Sequence, residues 1–270
     1  MAITNFIPKV WQAALLQRYA AGQIVINHVN TDYTGLVKVG NQVNITSVTT
    51  PTIVDYAAGG RVVTAAALSD SQIPLLINQE KAFAFFVDDI DQIQAAGSFE
   101  DVTRDSGAAL AEDSESYVIG QAMANGTSVG TAAITTPDLA YAAVLSMRTA
   151  LVKAKVPASD RVLCVNPEWA SFLLGSASKL TTVPQAGDGE LRNGVIGNVL
   201  GFTVIESPLL LNSAKPAAFA FHKSAIGFAQ QISNVEAVRH QTKFADIVRG
   251  LSVYGAKVIR PTAVQTYLSL

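Results

Sequence analysis

Three aspartates, Asp88, Asp89 and Asp91, close an apolar alternating run, and carboxylates so grouped could hold a hard cation or divide acid and base roles. A calcium loop would need further Asp or Asn ligands at fixed spacing, a glycine and a bidentate Glu, and these do not follow. In a strand, positions 88 and 89 point to opposite faces. Acids at a strand end, solvated and favoured by the dipole of the helix that follows, account for the triplet without a ligand.

The other reactive types are weaker. Gly126-Thr127-Ser128-Val129-Gly130 matches G-x-S-x-G, but a nucleophile elbow needs a strand before it and a helix after it. Here a helical pattern precedes and a Thr/Ala stretch follows. Cys164 could pair with His222 or His240, yet Val162, Leu163 and Val165 around it read as a buried core thiol. His28, His222 and His240 lack zinc-motif spacing. Gly194, Gly197 and Gly201 do not make G-x-G-x-x-G, and no P-loop occurs. Arg239, Lys243, Arg249, Lys257 and Arg260 are spread over β-type sequence without interleaved aromatics, which argues against sequence-specific DNA reading and leaves weak phosphate contact open. The expectation is no catalytic, cofactor or metal site.

The totals point elsewhere. Only 15% of the 270 residues are charged, against about 25% in an ordinary soluble chain, so much surface must be covered, and partner subunits are one way to cover it. A net charge of −2 gives no general pull toward nucleic acid or membrane. The single cysteine excludes an internal disulfide and fits a reducing compartment. The first 20 residues are a poor signal peptide, and no apolar run approaches the ~18 residues of a membrane span. Charge is uneven: residues 1–69 hold four bases and two acids, net +2; residues 70–115 hold Lys81 and Arg104 against eleven acids, net −9; residues 116–270 hold thirteen bases and eight acids, net +5. The middle is either a solvated acidic face or a surface complementary to basic regions of another copy.

Pro8, then Val10, Trp11, Ala14 and Leu15, suggest a short helix closed by Gly22, too short to stand alone, so Phe6, Ile7 and Trp11 must dock on something. Residues 24–77 read as β-type, with Gly35, Gly40-Asn41 and Gly59-Gly60 as breaks. A long two-stranded ribbon of this kind is marginal alone and must lie on another surface. Phe83, Phe85 and Val87 alternate as a strand. Ser98 is a candidate N-cap, and Glu100 and Asp101 favour a helix start that runs to Asn125-Gly126. Thr136-Pro137-Asp138 opens a second helix with Leu139, Ala143, Met147 and Leu151 as its stripe. Residues 161–165 read as a buried strand, Asn166-Pro167 caps a short helix, 175–200 form a Gly-rich loop, and strands follow at 201–206, 217–221, 235–239 and 250–267. The mixture is α+β without regular βαβ alternation.

FIPKVW at 6–11, VKVGNQVNIT at 37–46, FAFFVDDIDQIQA at 83–95, LRNGVIGNVLGFTVIES at 191–207 and RGLSVYGAKVIRP at 249–261 resemble, in the same order, the major capsid (coat) proteins of tailed bacteriophages. The resemblance implies the coat fold shared with encapsulin shells. Residues 1–30 would be the N-terminal arm and 31–80 an extended β-hairpin loop over a neighbouring subunit. Residues 81–157 and 231–270 would form the peripheral domain with a long spine helix at 98–125, and 158–230 the axial domain. It implies a virion capsid protein assembled in the bacterial host cytoplasm into hexamers and pentamers around double-stranded DNA, bound without sequence specificity. A portal and, because the arm starts almost at Met1, a separate scaffolding protein would be its partners, with no membrane. Some coats of the family join a loop lysine to a neighbour's asparagine, and Lys38 is the lysine inside this loop. Candidate inter-subunit contacts are Phe6, Ile7, Trp11, Lys38, Asp88, Asp89, Asp91, Glu100, Asp101 and Arg249. The alternatives are an encapsulin-like compartment and, distantly, a hydrolase using Ser128 at a strand end beside a histidine.

Overall fold

The computed structural model describes residues 23–34, 42–48, 53–55, 57, 61–62, 70–88, 99–175, 197–232, 236–240, 242 and 244–270. A 3-10 turn at Ile26–His28 comes first, where the sequence reads as β-type. Strands β1 (Gln42–Val48) and β2 (Asp70–Leu76) pair antiparallel, from Gln42 opposite Leu76 to Val48 opposite Asp70, and make the expected two-stranded ribbon. Strand β3 is Gln79–Asp88, and helix α1 is Phe99–Asn125. Its 27 residues span about 40 Å at the usual helical rise. There follow β4 (Thr127–Gly130), α2 (Pro137–Lys153), β5 (Arg161–Val165), α3 (Pro167–Leu174), β6 (Asn198–Val199) and β7 (Phe202–Glu206). The chain ends in β8 (Ala217–His222), β9 (Ile226–Ile232), β10 (Glu236–Arg239), β11 (Ala245–Val258) and β12 (Val264–Leu268).

Local chemistry fixes the helix starts. The Thr136 hydroxyl accepts from Leu139 N at 3.4 Å, and Asn166 Oδ1 accepts from Trp169 N at 3.0 Å, each just before a proline that fits the first helical turn. Asn166 does more than cap. Its Oδ1 also accepts from Ala217 N at 3.0 Å and its Nδ2 donates to Lys215 O at 2.7 Å, which ties α3 to the start of β8. The stripe of α2 departs from its sequence reading at one end. Ala140, Ala143, Val144, Met147 and Leu151 are buried, while Leu139 is 46% exposed. The buried set centres one residue further on, so a helical step of about 100° turns Leu139 outward.

Two sheets share the core. One is six-stranded, ordered β4-β12-β8-β5-β7-β6, with parallel pairs β4–β12 and β5–β7. Its two faces follow the period of two. Val162, Cys164, Phe219 and Phe221 pack toward Val118 and Ala122 of α1, Phe228 of β9 and Tyr254 of β11. Leu163, Val165, Ala218 and Ala220 pack toward Met147, Leu151, Trp169 and Leu173 of α2 and α3. Burying each such large side chain is worth about 1.5–3 kcal/mol. In the other sheet β11 is central, with β3 along one side and β10 then β9 along the other. Val25, Ile26 and Val29 also belong to the first core cluster.

The ribbon is rooted on this second sheet. Leu75 and Ile77 pack on Ala229, with Tyr33, Val43, Ile45 and Val253 around them. A Cβ on Gly255 would lie far inside contact distance of Leu76 O and the Cα of Ile77, so only glycine lets the ribbon root cross β11 here.

Candidate functional site

The sequence candidates sort unevenly. Phe6, Ile7, Trp11, Lys38, Asp89 and Asp91 lie outside the described residues. The Asp88 backbone ends β3 and pairs with Ala245, and Glu100 and Asp101 fall in the first turn of α1, but their side chains are outside the description. Arg249 is placed fully. Its Nη2 donates to Glu236 Oε2 at 2.8 Å and its Nε to the same oxygen at 3.2 Å, across the β10–β11 pair. Its charge is therefore answered within its own chain. Among the described residues no group of three or more His, Cys, Asp or Glu is arranged to hold a metal. Among them, too, no helix is long and apolar enough to cross a membrane.

The serine pattern does not build an elbow. Helix α1 precedes it, and Ser128 sits exposed inside β4, opposite Thr266 of β12, with the strand running on to Gly130. The helix before the pattern is as the sequence reads, and the strand ending at Ser128 that a hydrolase would need is absent. Cys164 is fully buried on β5 opposite Phe219, while His222 stands opposite Arg161 and bonds the Ser224 hydroxyl at 2.9 Å. Burial, then the nearby Glu115 charge, pushes the Cys164 thiol well above its usual range. A thiol held protonated this way is no nucleophile.

Two buried charges escaped the sequence reading. Glu115 is 1% exposed, and its Oε2 accepts from Ile24 N at 2.5 Å. Spacing could have found it: it lies four residues after Ala111 and three before Val118, both fully buried on one face of α1. Arg161 is 7% exposed and donates from Nε to Pro157 O at 2.7 Å and from Nη2 to Val156 O at 2.6 Å. Burial, then Arg148, pulls its guanidinium below its usual value.

What remains is surface of an associating kind. The outward face of the second sheet carries Phe86, 62% exposed, beside Val238 and Leu251. A groove of about 470 Å³ follows Ala82, Ala84 and Leu251, with the Arg249–Glu236 pair on its wall. Beyond the ribbon, Ile53 is 96% exposed, with Val54 and Val62 also open. Exposed apolar side chains grouped as on this sheet are common on surfaces that meet another molecule. Behind it the frame is firm. Tyr254 donates its hydroxyl to Asp113, Lys81 lies 3.5 Å from the same carboxylate, and Tyr117 packs edge-on to Tyr254 at 5.7 Å, which locks α1 to β3 and β11.

An α+β body with a rooted ribbon and exposed apolar side chains is compatible with a shell subunit, and comparison with known proteins points the same way. Residues 72–267 match the family described as phage capsid protein. A structure from Mycobacterium phage Che8 is 43% identical, with 91% of this chain and 90% of that one covered and a TM-score of 0.82. The capsid structure of the cyanophage P-SCSP1u matches at 18% identity, over 92% and 88% of the two chains, with a TM-score of 0.74. A virus-like particle from Pyrococcus furiosus matches at 13% identity over 97% and 99%, with a TM-score of 0.64, a likeness of fold alone. No curated protein matches the sequence. The chain belongs to the phage capsid protein family. It is a structural major capsid protein of the virion, and it self-assembles into the shell.

Proposed function

We propose that the chain forms the pentamers and hexamers of an icosahedral head, closed around double-stranded DNA that it contacts without reading sequence. Assembly takes place in the host cytoplasm, with a separate scaffolding protein and a portal, and the subunit has no enzymatic role. Residues 1–30 serve as the arm and 31–80 as the loop over a neighbour. Residues 81–157 and 231–270 form the peripheral domain with α1 as its spine, and 158–230 the axial domain, whose sheet β4 and β12 complete from outside. Phe6, Ile7, Trp11, Lys38, Asp88, Asp89, Asp91, Glu100, Asp101 and Arg249 are the contact candidates.

The observation that carries this reading is the ribbon. Among the described residues, the root packs on the chain's own body, while Ile53, between the two strands, is almost fully open to solvent. A two-stranded ribbon is marginal without a surface to lie on, and a neighbouring subunit supplies one. Deleting residues 41–60 is expected to leave a soluble body that forms no shells by electron microscopy; shells of normal size would refute the cross-subunit loop. An encapsulin-like compartment shares the fold, but the 43% identical relative is a phage protein, which favours the head. Purified shells that hold DNA and no cargo enzyme are the expected result.

A further inference from the structure

We propose that a basic seam at one end of the central strands β5 and β8 of the six-stranded sheet receives acidic residues of the 70–115 segment, Glu80, Asp105 and Glu112, from a second copy of this chain. The inference rests on the shell reading above and names the surface on which neighbouring copies meet. Four elements build the seam. Arg161 opens β5 directly opposite His222, which closes β8. Lys223 N donates to Asp160 O at 3.1 Å, and Arg260 N donates to Ala225 O at 3.3 Å, two residues beyond Lys223. Arg148, on α2, is close enough to depress the Arg161 guanidinium, and Arg161 and Arg260 both act against protonation of His222. Asp160 is the acid that opposes them at His222.

Among the described residues, Asp160 is the acid set against this positive charge, and the seam bases form no ion pair. Arg161 is buried and meets carbonyl oxygens. Arg148, Lys223 and Arg260 are exposed, and none of them is in an ion pair among the described residues. The opposite imbalance sits in residues 70–115, at net −9. Lys81 of that segment is already engaged by Asp113. Exposed Glu80, Asp105 and Glu112 form no ion pair among the described residues.

Within one molecule the described helix acids Asp105 and Glu112 lie far from the seam. Thr127, just past the end of α1, donates its hydroxyl to Pro261 O at 3.0 Å, which places the seam residue Arg260 by the C-terminal end of that helix. Asp105 lies 20 residues before Asn125 on the same helix, about 30 Å away along a rigid rod. That separation exceeds the screening length of about 8 Å at physiological salt several-fold. A second copy can bring its acids to the seam, and the charge balance of the chain favours that occupant over a nucleic acid.

Assembly of the full-length chain, followed by light scattering and electron microscopy, tests this. Reversing the seam with Arg148→Glu and Arg260→Glu is expected to lower shell yield about tenfold. Reversing the acids with Asp105→Lys and Glu112→Lys should do the same, and all four changes in one chain should restore most of the yield. The parent should assemble less well as salt rises between roughly 0.05 and 0.5 M, and the milder pair Arg148→Gln and Arg260→Gln should fold normally and lose that dependence. The inference is overturned if the seam-reversed chain assembles as the parent does, or if the fourfold variant is no better than either pair. It is also overturned if seam variants assemble normally but stop retaining a duplex DNA fragment. Failure of the unmodified chain to form shells would instead overturn the shell reading, and this inference with it.

Discussion

The Glu115 carboxylate accepts the backbone N–H of Ile24 at 2.5 Å, joining the middle of α1 to a segment 91 residues upstream. Val25, the next residue, also donates to it and is fully buried. Desolvation raises the Glu115 carboxyl above its ordinary value of 4.5, and the two backbone donors pull it part of the way back. The folded state therefore holds this proton more tightly than the unfolded chain. The stability this group contributes is fully present below the ordinary value and is lost as pH rises through the raised folded value. Glu115→Gln should flatten the dependence of the denaturant midpoint on pH above about 4.5. Glu115→Ala should cost about 2 kcal/mol by leaving buried N–H groups unanswered. An unchanged pH slope in the Gln variant would remove Glu115 as its source.

Gly255 is the point where the ribbon root passes over β11. An added methyl would meet backbone, Leu76 O and the Cα of Ile77, which cannot turn aside as a flexible side-chain end could. Gly255→Ala is expected to cost about 3 kcal/mol and to displace the ribbon. Hydrogen exchange of the Leu75–Ile77 amides, read against those of β5, should show protection lost at the root and kept in the sheet. Equal protection in both places would show that the root relaxes without losing its seat.

Asn166 and Thr136 hold the same capping position on α3 and α2 but differ in what they would leave behind. Thr136 is exposed and serves one N–H at 3.4 Å, so Thr136→Ala should cost about 1 kcal/mol. Asn166 is buried and serves Trp169 N, Ala217 N and Lys215 O. Asn166→Ala should cost about 3 kcal/mol, because those groups lose their partner away from water. Urea unfolding of both variants measures the difference, and equal losses would reduce Asn166 to a simple cap.

Elements whose signal is local were legible in the sequence. The run Arg161–Val165 forms a buried strand, both caps that precede a proline stand where Thr136 and Asn166 place them, and α1 ends at Asn125. These depend on neighbours in sequence, where propensity and capping act. What tertiary packing decides was not legible. The 3-10 turn at Ile26–His28 replaces a β-type reading because Val25, Ile26 and Val29 fill a core supplied by α1 and β11. The Arg249–Glu236 pair forms through the β10–β11 register, which no local pattern encodes. The unpaired bases of the seam come from four separate elements, so no window of sequence brings them together.

Cys164 gives the cleanest contrast between a sequence candidate and its surroundings. It is the chain's single cysteine, so any thiol reagent reports on it alone. It sits fully buried between Leu163 and Val165 on a central strand, with its thiol pushed well above the usual range by burial and then by Glu115. Reaction needs both access and a thiolate, and neither is present while the sheet is intact. A disulfide-exchange reagent at pH 8 should therefore label the folded chain at the rate of unfolding and the urea-unfolded chain at once. Cys164→Ser should cost about 2 kcal/mol, because a hydroxyl replaces a thiol in an apolar site, whereas Cys164→Ala should cost less. Rapid labelling of the folded chain would mean that the strand opens far more readily than its neighbours Phe219 and Ile205 imply.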